Sequence, residues 1–193
     1  GMYYLRFADL ITDNDLCEMS VPFKADRRII QPGTFSCEIP IPNSKIGDAV
    51  RKIIPQRTLV HVYRGVSLIG SYIIWEKKIA GDVAVKCSLQ GATLESMLYH
   101  RRLRSGLSFT NVDQLSIAKQ LIDGAQSGVA PYASSWELDI TTPSVSSGVL
   151  RDRHYLQTDA KFIGDILEEL ANVDNGFEYV IHCAGITRPE RIE

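Results

Sequence analysis

Four histidines are the first residues of this sequence that could bind a metal ion. Zinc needs imidazole, thiolate or carboxylate ligands that converge, and zinc enzymes often place two histidines one helical turn apart in an HExxH motif. The four histidines are dispersed and lack this spacing: His61, His100, His154 and His182. We therefore predict no metal site, and we interpret these histidines as surface or core residues.

Glu168 and Glu169 are adjacent carboxylates that could suggest general acid–base catalysis. Such a pair must converge on one bond of the substrate, whereas neighbouring residues of a helix point about 100° apart. The pair is predicted to lie on a solvated helix face. The sequence also has no GxSxG nucleophile elbow and, between Gly47 and Gly70, no phosphate-binding glycine pattern. We predict no catalytic residue, no cofactor and no enzymatic activity.

The cysteines show neither metal-site nor redox-site spacing. The sequence has no CxxC pair and no dense disulfide framework. Cys37, Cys87 and Cys183 lie in phase with apolar strand faces, and Cys17 is distant from all three. Free thiols, buried as small hydrophobic groups, are the prediction.

Two basic segments are the candidate partner contacts. They contain five arginines: Arg101, Arg102, Arg104, Arg151 and Arg153. Segment 100–104 is predicted to form a solvated or interface turn, with phosphate contact as the alternative, although phosphate usually binds broader basic surfaces. Segment 151–155 is predicted to form pairs within the fold at a helix start, with partner contact as the alternative.

Three aromatic residues could stack on a sugar: Trp75, Tyr132 and Trp136. Trp136, however, shares its predicted strand face with Leu138 and Ile140, which is typical of a core aromatic residue. A glycan-binding module is therefore the weaker interpretation of these residues.

The composition is that of a folded chain with no general affinity for polyanions. The 193 residues are 45% hydrophobic and 23% charged, with a formal net charge of -2. Nucleic-acid and anionic-membrane surfaces are usually basic overall. No apolar run approaches the ~20 residues that span a bilayer, and Arg6 and Asp9 interrupt the segment where a signal peptide would be apolar. We expect synthesis and folding in the cytoplasm.

Alternation of apolar and polar residues predicts short strands in the first half of the chain. In Thr34–Ile41 one face holds Phe35, Cys37, Ile39 and Ile41. The predicted strands are Tyr3–Leu10, Leu16–Phe23, Thr34–Ile41, Leu59–Arg64, Leu68–Lys78, Asp82–Gln90, Trp136–Ile140 and Phe177–Cys183. Since short antiparallel strands must protect their edges, residues 3–90 are predicted to form a small antiparallel β-barrel or half-barrel domain.

Three helices are predicted from apolar spacing and caps. A short helix begins with Ser44 as its cap and ends before Pro55. After Gln90 the period changes, and two amphipathic helices follow, one capped by Asn111 and Gln114 and ending at Gly128, the other capped by Thr158. We therefore predict an α+β, mainly β chain, with a second, α+β domain at 91–193 that is incomplete at its C-terminal end.

Several segments, in this order, resemble tail proteins of long-tailed phages. They are GTFSCEIPIP from Gly33, VYRGVSLIGSYI from Val62, LQGATLESMLYHRRL from Leu89, DQLSIAKQLIDGA, SGVLRDRHY, FIGDILEELA and NGFEY. Each motif is weak by itself, and their shared order across nearly all of the chain carries the resemblance. The sequence is similar to the minor tail protein family of phages and prophages in high-GC Gram-positive bacteria, which is related in architecture to the baseplate hub.

This resemblance implies a structural component of the virion tail, placed at the tail tip or baseplate hub. The implied partners are the tail tube, distal tail and tip proteins, and the implied assembly of the full-length protein is a trimeric ring. DNA that passes through the tube is the one nucleic acid that such a protein would meet. Two other functions stay open: the N-terminal scaffold of a tail-associated cell-wall hydrolase, and the glycan-binding module.

Overall fold

The computed structural model describes residues 2–103, 105–127, 140–183 and 190–192, and within them the chain is α+β and mainly β. It divides into two compact units. The first is formed mainly by Gly1–Arg28 and Pro32–Leu94, and the second mainly by Ile29–Gln31 and Glu95–Ile181. The domains 3–90 and 91–193 remain a prediction, because compactness does not show that either part folds alone.

Strands make up most of the first unit, and helices and strands share the second. The elements of the first unit are β1 (Tyr3–Asp9), β2 (Asp15–Met19), β3 (Phe23–Ala25), β4 (Thr34–Pro40), α1 (Ser44–Arg51), β5 (Thr58–Arg64), β6 (Ser67–Ala80) and β7 (Lys86–Thr93). They are followed by a 3-10 helix (Leu94–His100), β8 (Leu107–Asp113), α2 (Gln114–Ser127), β9 (Leu150–Tyr155), a 3-10 turn (Gln157–Asp159), α3 (Ile163–Ala171), β10 (Ile181–Cys183) and β11 (Glu190–Ile192).

The first unit is one seven-stranded antiparallel sheet that is not closed into a barrel. Its strand order is β2-β1-β5-β6-β7-β4-β3, so β2 and β3 are its edges. Of the two predicted forms, a barrel or a half-barrel, the closed barrel is therefore excluded. Closure would need a hydrogen-bonded ladder between the two edges, but β3 has three residues and Pro22 beside it has no N–H to donate.

The sheet is nevertheless curved, because strands from both of its ends contribute to the same core. Leu5 and Phe7 of β1 belong to one buried cluster with Phe35 and Ile39 of β4. The ring of Tyr3 in β1 meets the ring of Phe23 in β3 edge to face, with centroids 5.7 Å apart. Burial of apolar surface thus draws the two ends together where hydrogen bonds do not.

Helix α1 packs Val50 and the following Ile53 into this core. Its N-cap is Asn43, whose side chain accepts a hydrogen bond from the N–H of Ile46 at 3.1 Å, so the expected cap Ser44 is the first helical residue instead. At the other end, the ammonium of Lys77 donates to the carbonyls of Val50 and Ile53 at 2.7 and 2.8 Å. A cation is favourable there because helix C-termini carry partial negative charge.

The helices of the second unit follow their predicted apolar stripes, but their caps differ. Asp113, not the expected pair Asn111 and Gln114, accepts a hydrogen bond from the N–H of Leu115 at the start of α2. Asn111 has a positive φ of 55° in an irregular part of the ladder between β8 and β9. Thr158 lies in a separate 3-10 turn, and Phe162 precedes α3 without a side-chain cap.

The observed strands differ most from the predicted ones where apolar and polar residues do not alternate regularly. Strands β8 and β9 are not among the predicted strands, because their segments LSFTNVD and LRDRHY contain few apolar residues. Predicted strand Leu16–Phe23 is interrupted at Ser20, and strand structure in Phe177–Cys183 begins at Ile181. Most of predicted strand Trp136–Ile140 and the predicted helix end Gly128 lie outside the described residues.

Candidate functional site

A polar cluster lies across three central strands of the first unit. Arg6 of β1 is paired in the ladder with His61 of β5, which is paired with Ser71 of β6. His61 Nε2 lies 2.8 Å from Oδ1 of Asp13, and Nδ1 lies 2.7 Å from Oγ of Ser71. The guanidinium of Arg6 donates to both carboxylate oxygens of Asp13 at 3.1 and 3.2 Å, and also to Asp15.

This cluster has the residue types of a Ser-His-Asp triad, but its buried position indicates a structural role. We call Arg6, Asp13, His61 and Ser71 the brace. His61 is 1% exposed and Ser71 is 7% exposed, so a substrate cannot reach the hydroxyl. Burial raises the pKa of Asp13, but the hydrogen bond from His61 and the charge of Arg6 lower it by more, so its pKa lies below the usual value. The carboxylate therefore stays ionised and compensates the buried guanidinium.

This cluster is not evident from the sequence, in which His61 is an isolated histidine. The available signal was the strand alternation, which places Arg6 and His61 among buried neighbours: Leu5, Phe7, Val60 and Val62. Two polar residues in buried strands need partners, and only pairing across strands shows which residues provide them.

The structure describes four of the five predicted partner-contact arginines, and these four belong to the second unit and have contacts within it. Arg101 is 7% exposed, and burial lowers its pKa, although it remains a cation at neutral pH. Arg102 is exposed, pairs with Phe162 in an isolated bridge and places its guanidinium 4.3 Å from the centre of that ring. Arg104 lies outside the described residues.

Hydrogen bonds hold Arg151 of β9 to other elements, whereas Arg153 of β9 bonds only to its neighbour among the described contacts. Arg151 donates to Oε1 of Gln114 at 3.3 Å and to the carbonyl of Asp174 at 2.6 Å, so it ties β9 to the start of α2 and to the turn after α3. Arg153 donates to the carbonyl of its neighbour Asp152. Contact of these arginines with a partner stays a prediction.

Glu168 is half-buried rather than fully solvated. Its carboxylate accepts hydrogen bonds from the hydroxyl of Tyr99 at 2.8 Å and from the side-chain amide of Gln31 at 2.7 Å. Burial raises the pKa of Tyr99, and the neighbouring phenol and carboxylates raise it further, so the phenol remains a donor. Glu169 forms an exposed ion pair with Lys161. The two carboxylates therefore do not share a site.

Cys37 and Cys87 are buried free thiols and Cys17 is a half-buried one, as predicted. Cys183 lies at the end of β10, and its side chain is outside the described residues. Burial raises the pKa of Cys17 to about 11 and that of Cys37 to about 12. No group of three or more metal-binding side chains occurs among the described residues.

Because the thiolate is the reactive form, we expect Cys17, Cys37 and Cys87 to resist modification in the folded protein. In a Cys183→Ser variant at pH 8, their reaction with an aromatic disulfide reagent should be more than about a hundredfold slower than in denaturant. Stopped-flow absorbance measures both rates. Complete modification of the folded variant within seconds would contradict the burial of these thiols.

The carboxylate of Asp113 is held in its ionised form by several hydrogen bonds. Its Oδ2 accepts hydrogen bonds from the hydroxyl of Ser146 and from the N–H groups of Ser147 and Gly148, in addition to the Oδ1 bond to Leu115. Burial raises the pKa of Asp113, but these bonds outweigh it and lower the pKa below 3.8.

A lowered carboxyl pKa in the folded state predicts stability that is complete above the unfolded pKa and is lost as the pH falls through the folded pKa. The free energy of unfolding should therefore decrease less for Asp113→Asn than for the unmodified chain between about pH 5 and about pH 3. Urea titrations at several pH values measure this. Parallel pH profiles would contradict an ionised, hydrogen-bonded Asp113.

A large cleft lies beside edge strand β3. It has a volume of about 890 Å³ and is lined by β3 and by residues of β1, β5 and β6. On the other side of β3 a second cleft of about 700 Å³ extends over β4 and β7. An apolar groove between α2, α3 and residues 177–179 has a volume of only about 140 Å³, well below the ~300 Å³ of a typical ligand site.

The predicted sugar platforms are not assembled into a site by the described residues. Trp75 is half-buried in β6, where the ladder to β7 is irregular, and it lines none of these clefts. Tyr132 and Trp136 lie outside the described residues. No helix of the described part is long and apolar enough to cross a membrane.

Solved structures with the same fold are phage, prophage and secretion-system proteins. Over 98% of this chain, the prophage MuSo2 43 kDa tail protein from Shewanella oneidensis matches with a TM-score of 0.59 and 12% identity. The tail protein from Neisseria meningitidis MC58 matches over 98% of this chain with a TM-score of 0.55 and 13% identity. The E. coli c3393 protein, a type VI secretion component similar to T4 tail proteins gp27 and gp5, matches over 99% with a TM-score of 0.51 and 8% identity.

The fold of this chain is that of phage and prophage tail proteins, as the resemblance implied. The chain covers about half of these neighbours' length: 52% of the Shewanella protein, 53% of the Neisseria protein and 44% of the E. coli protein. No family model matches the sequence, and no curated protein is similar to it.

Proposed function

We propose that this chain is a structural component of a phage or prophage tail that connects the tail tube to the tail tip. The observation that carries this proposal is the match of nearly the whole chain to tail proteins from two organisms. The type VI secretion neighbour is described as similar to the phage T4 tail proteins gp27 and gp5, which agrees with a hub-like position. The virion tail is accordingly its proposed location.

The role that we propose is assembly without chemical turnover. The Ser-His-Asp arrangement is buried, and the two carboxylates on α3 have separate partners, Tyr99 and Lys161. Its functional surfaces would then be those that contact other tail proteins. Of the described candidates, Arg102 is exposed, Arg151 and Arg153 are half-buried, and Arg101 is buried.

For the full-length protein we propose a homo-oligomer, with the trimeric ring that the sequence resemblance implied. The open sheet supports this proposal, because among the described strands β2 is an edge on which a neighbouring copy of the chain can add. Passing DNA would meet the inside of such a ring, and no broad basic surface is required for this.

Deletion of the coding sequence from the prophage that carries it tests this function. Electron microscopy of induced particles should show tails without tips, or no complete tails, and a plasmid copy should restore them. Antibody-coupled gold should label one end of the restored tails. Normal, infectious particles without the protein would overturn the proposal.

Two results would favour the alternatives instead. Release of soluble sugar from cell walls by the purified full-length protein, with tails intact in the deletion strain, would indicate a hydrolase. Saturable binding of this chain to host cell-wall polysaccharide, lost in Trp75→Ala but not in a matched Tyr4→Ala variant, would indicate a glycan-binding module.

A further inference from the structure

The free side of β3 has backbone groups that a new strand could use. Asp26 donates its N–H to the carbonyl of Thr34 at 2.9 Å, so this pair is hydrogen-bonded in the antiparallel ladder between β3 and β4. Hydrogen-bonded and non-hydrogen-bonded pairs alternate along such a ladder. The N–H and C=O groups of Phe23 and Ala25 therefore point away from β4, and no described strand pairs with β3 on that side.

The cleft on this side of β3 has an apolar floor and is closed at one end. Phe23 of β3, Val62 of β5 and Tyr72 of β6 line it, and Ile69 remains 40% exposed at its margin. The hydroxyl of Tyr72 donates to the carbonyl of Asp26 at 3.0 Å, which closes the end of the cleft beside the β3–β4 loop. An extended peptide would place alternate side chains on this floor and the others in solvent.

Positive charges outnumber negative ones around the cleft, although the whole chain is slightly acidic. Lys24 and Arg27 line the cleft and are exposed, and Arg64 lies over the ring of Tyr3 at its rim. Among the residues that the structure describes, none of these three cations has a carboxylate partner. The carboxylate of Asp26 accepts from the N–H of Thr34 at 2.7 Å and pairs with Arg28, so it does not neutralise them.

We infer that this cleft binds an extended, acidic segment of another tail protein, which adds as a strand to β3. This inference rests on the proposed function for the identity of the partner. Main-chain hydrogen bonds to Phe23 and Ala25 would fix the segment, alternate apolar side chains would cover the floor, and its carboxylates would pair with Lys24, Arg27 and Arg64. The same addition would cover the edge that keeps the sheet from closing.

The test measures binding of a fluorescein-labelled peptide in which Glu or Asp alternates with Val or Ile. Fluorescence anisotropy of this peptide with the intact chain should show saturable binding at low salt. A peptide with Lys at every acidic position should not bind. Lys24→Glu combined with Arg27→Glu should lower the affinity for the acidic peptide at least about tenfold.

Two further variants separate strand addition from general charge. Lys45→Glu with Lys78→Glu changes the net charge equally at exposed sites away from the cleft, and it should leave the affinity within about twofold. Ala25→Pro removes one outward N–H, which edge strands tolerate, and it should also weaken binding at least about tenfold. Circular dichroism confirms that each variant is folded.

Three results would overturn the inference. One is absence of binding, and another is equal weakening by the control charge variant. The third is self-association of the chain that Lys24→Glu and Arg27→Glu abolish, since the cleft would then hold a second copy. Tail localisation in the prophage is measured independently, so a tail that contains the protein while the acidic peptide fails to bind would refute only the cleft.

Discussion

Replacement of Arg6 by methionine should lower the free energy of unfolding by about 3 kcal/mol. The side chains of Arg6 and Asp13 are 7% and 8% exposed, and the guanidinium compensates a carboxylate that also holds His61. Methionine keeps most of the volume but removes the charge, so Asp13 would be left with a buried, poorly compensated negative charge. Such losses cost far more than the loss of a surface ion pair.

Urea denaturation in a Trp136→Phe background measures this effect. Trp75 is then the remaining tryptophan and lies in β6, so its fluorescence reports on the first unit. The control is Arg51→Met, which removes an exposed ion pair to Asp48 on α1 and should cost less than about 1 kcal/mol. If both variants lose the same small amount, the brace does not contribute as the structure indicates.

Replacement of Phe35 by alanine should be at least as damaging, with a loss of about 3–4 kcal/mol. Phe35 is 2% exposed, and its ring lies between those of Phe23 and Tyr72, with centroids 6.1 and 5.4 Å away. Through Phe23 this row of rings reaches Tyr3 of β1, at the other end of the strand order. The substitution would leave a cavity where the curved sheet is held together.

The same fluorescence assay applies, with Val83→Ala as the matched apolar control. Val83 is fully exposed at 101%, so its truncation should change the free energy by no more than about 0.5 kcal/mol. A second measurement is the binding of the acidic peptide to the cleft. Loss of Phe35 should leave Phe23 less firmly packed and should weaken this binding. Unchanged stability of Phe35→Ala would show that the two ends of the sheet do not share one core.

Local pattern was sufficient for those strands that have one buried face and one exposed face. Predicted strand Thr34–Ile41 corresponds to β4, Thr34–Pro40, and its alternation of buried and exposed residues is complete. In contrast, β8 and β9 form a ribbon of mainly polar residues, and strand formation there depends on the partner strand. A single segment carries no information about such a partner.

The candidate sites also differ in whether local pattern or contacts between distant strands determine them. The predicted burial of Cys37 and Cys87 is confirmed, because a Cys in phase with an apolar strand face is buried wherever that face is buried. The brace was missed because Asp13, His61 and Ser71 become neighbours only when three strands and a turn are in register. The cleft was missed because it exists only where an expected barrel fails to close.

The sequence by itself determined the mainly β, α+β class, the apolar stripes of the helices and, through the order of weak motifs, the likeness to tail proteins. The class and the stripes depend on periods of two and 3.6 residues and on local turns, which short segments encode. The tertiary structure decided which residues cap the helices, which cations are braced and which are exposed, and that β3 remains an open edge. Those outcomes depend on contacts between distant segments, whose geometry is set only when the whole sheet has formed.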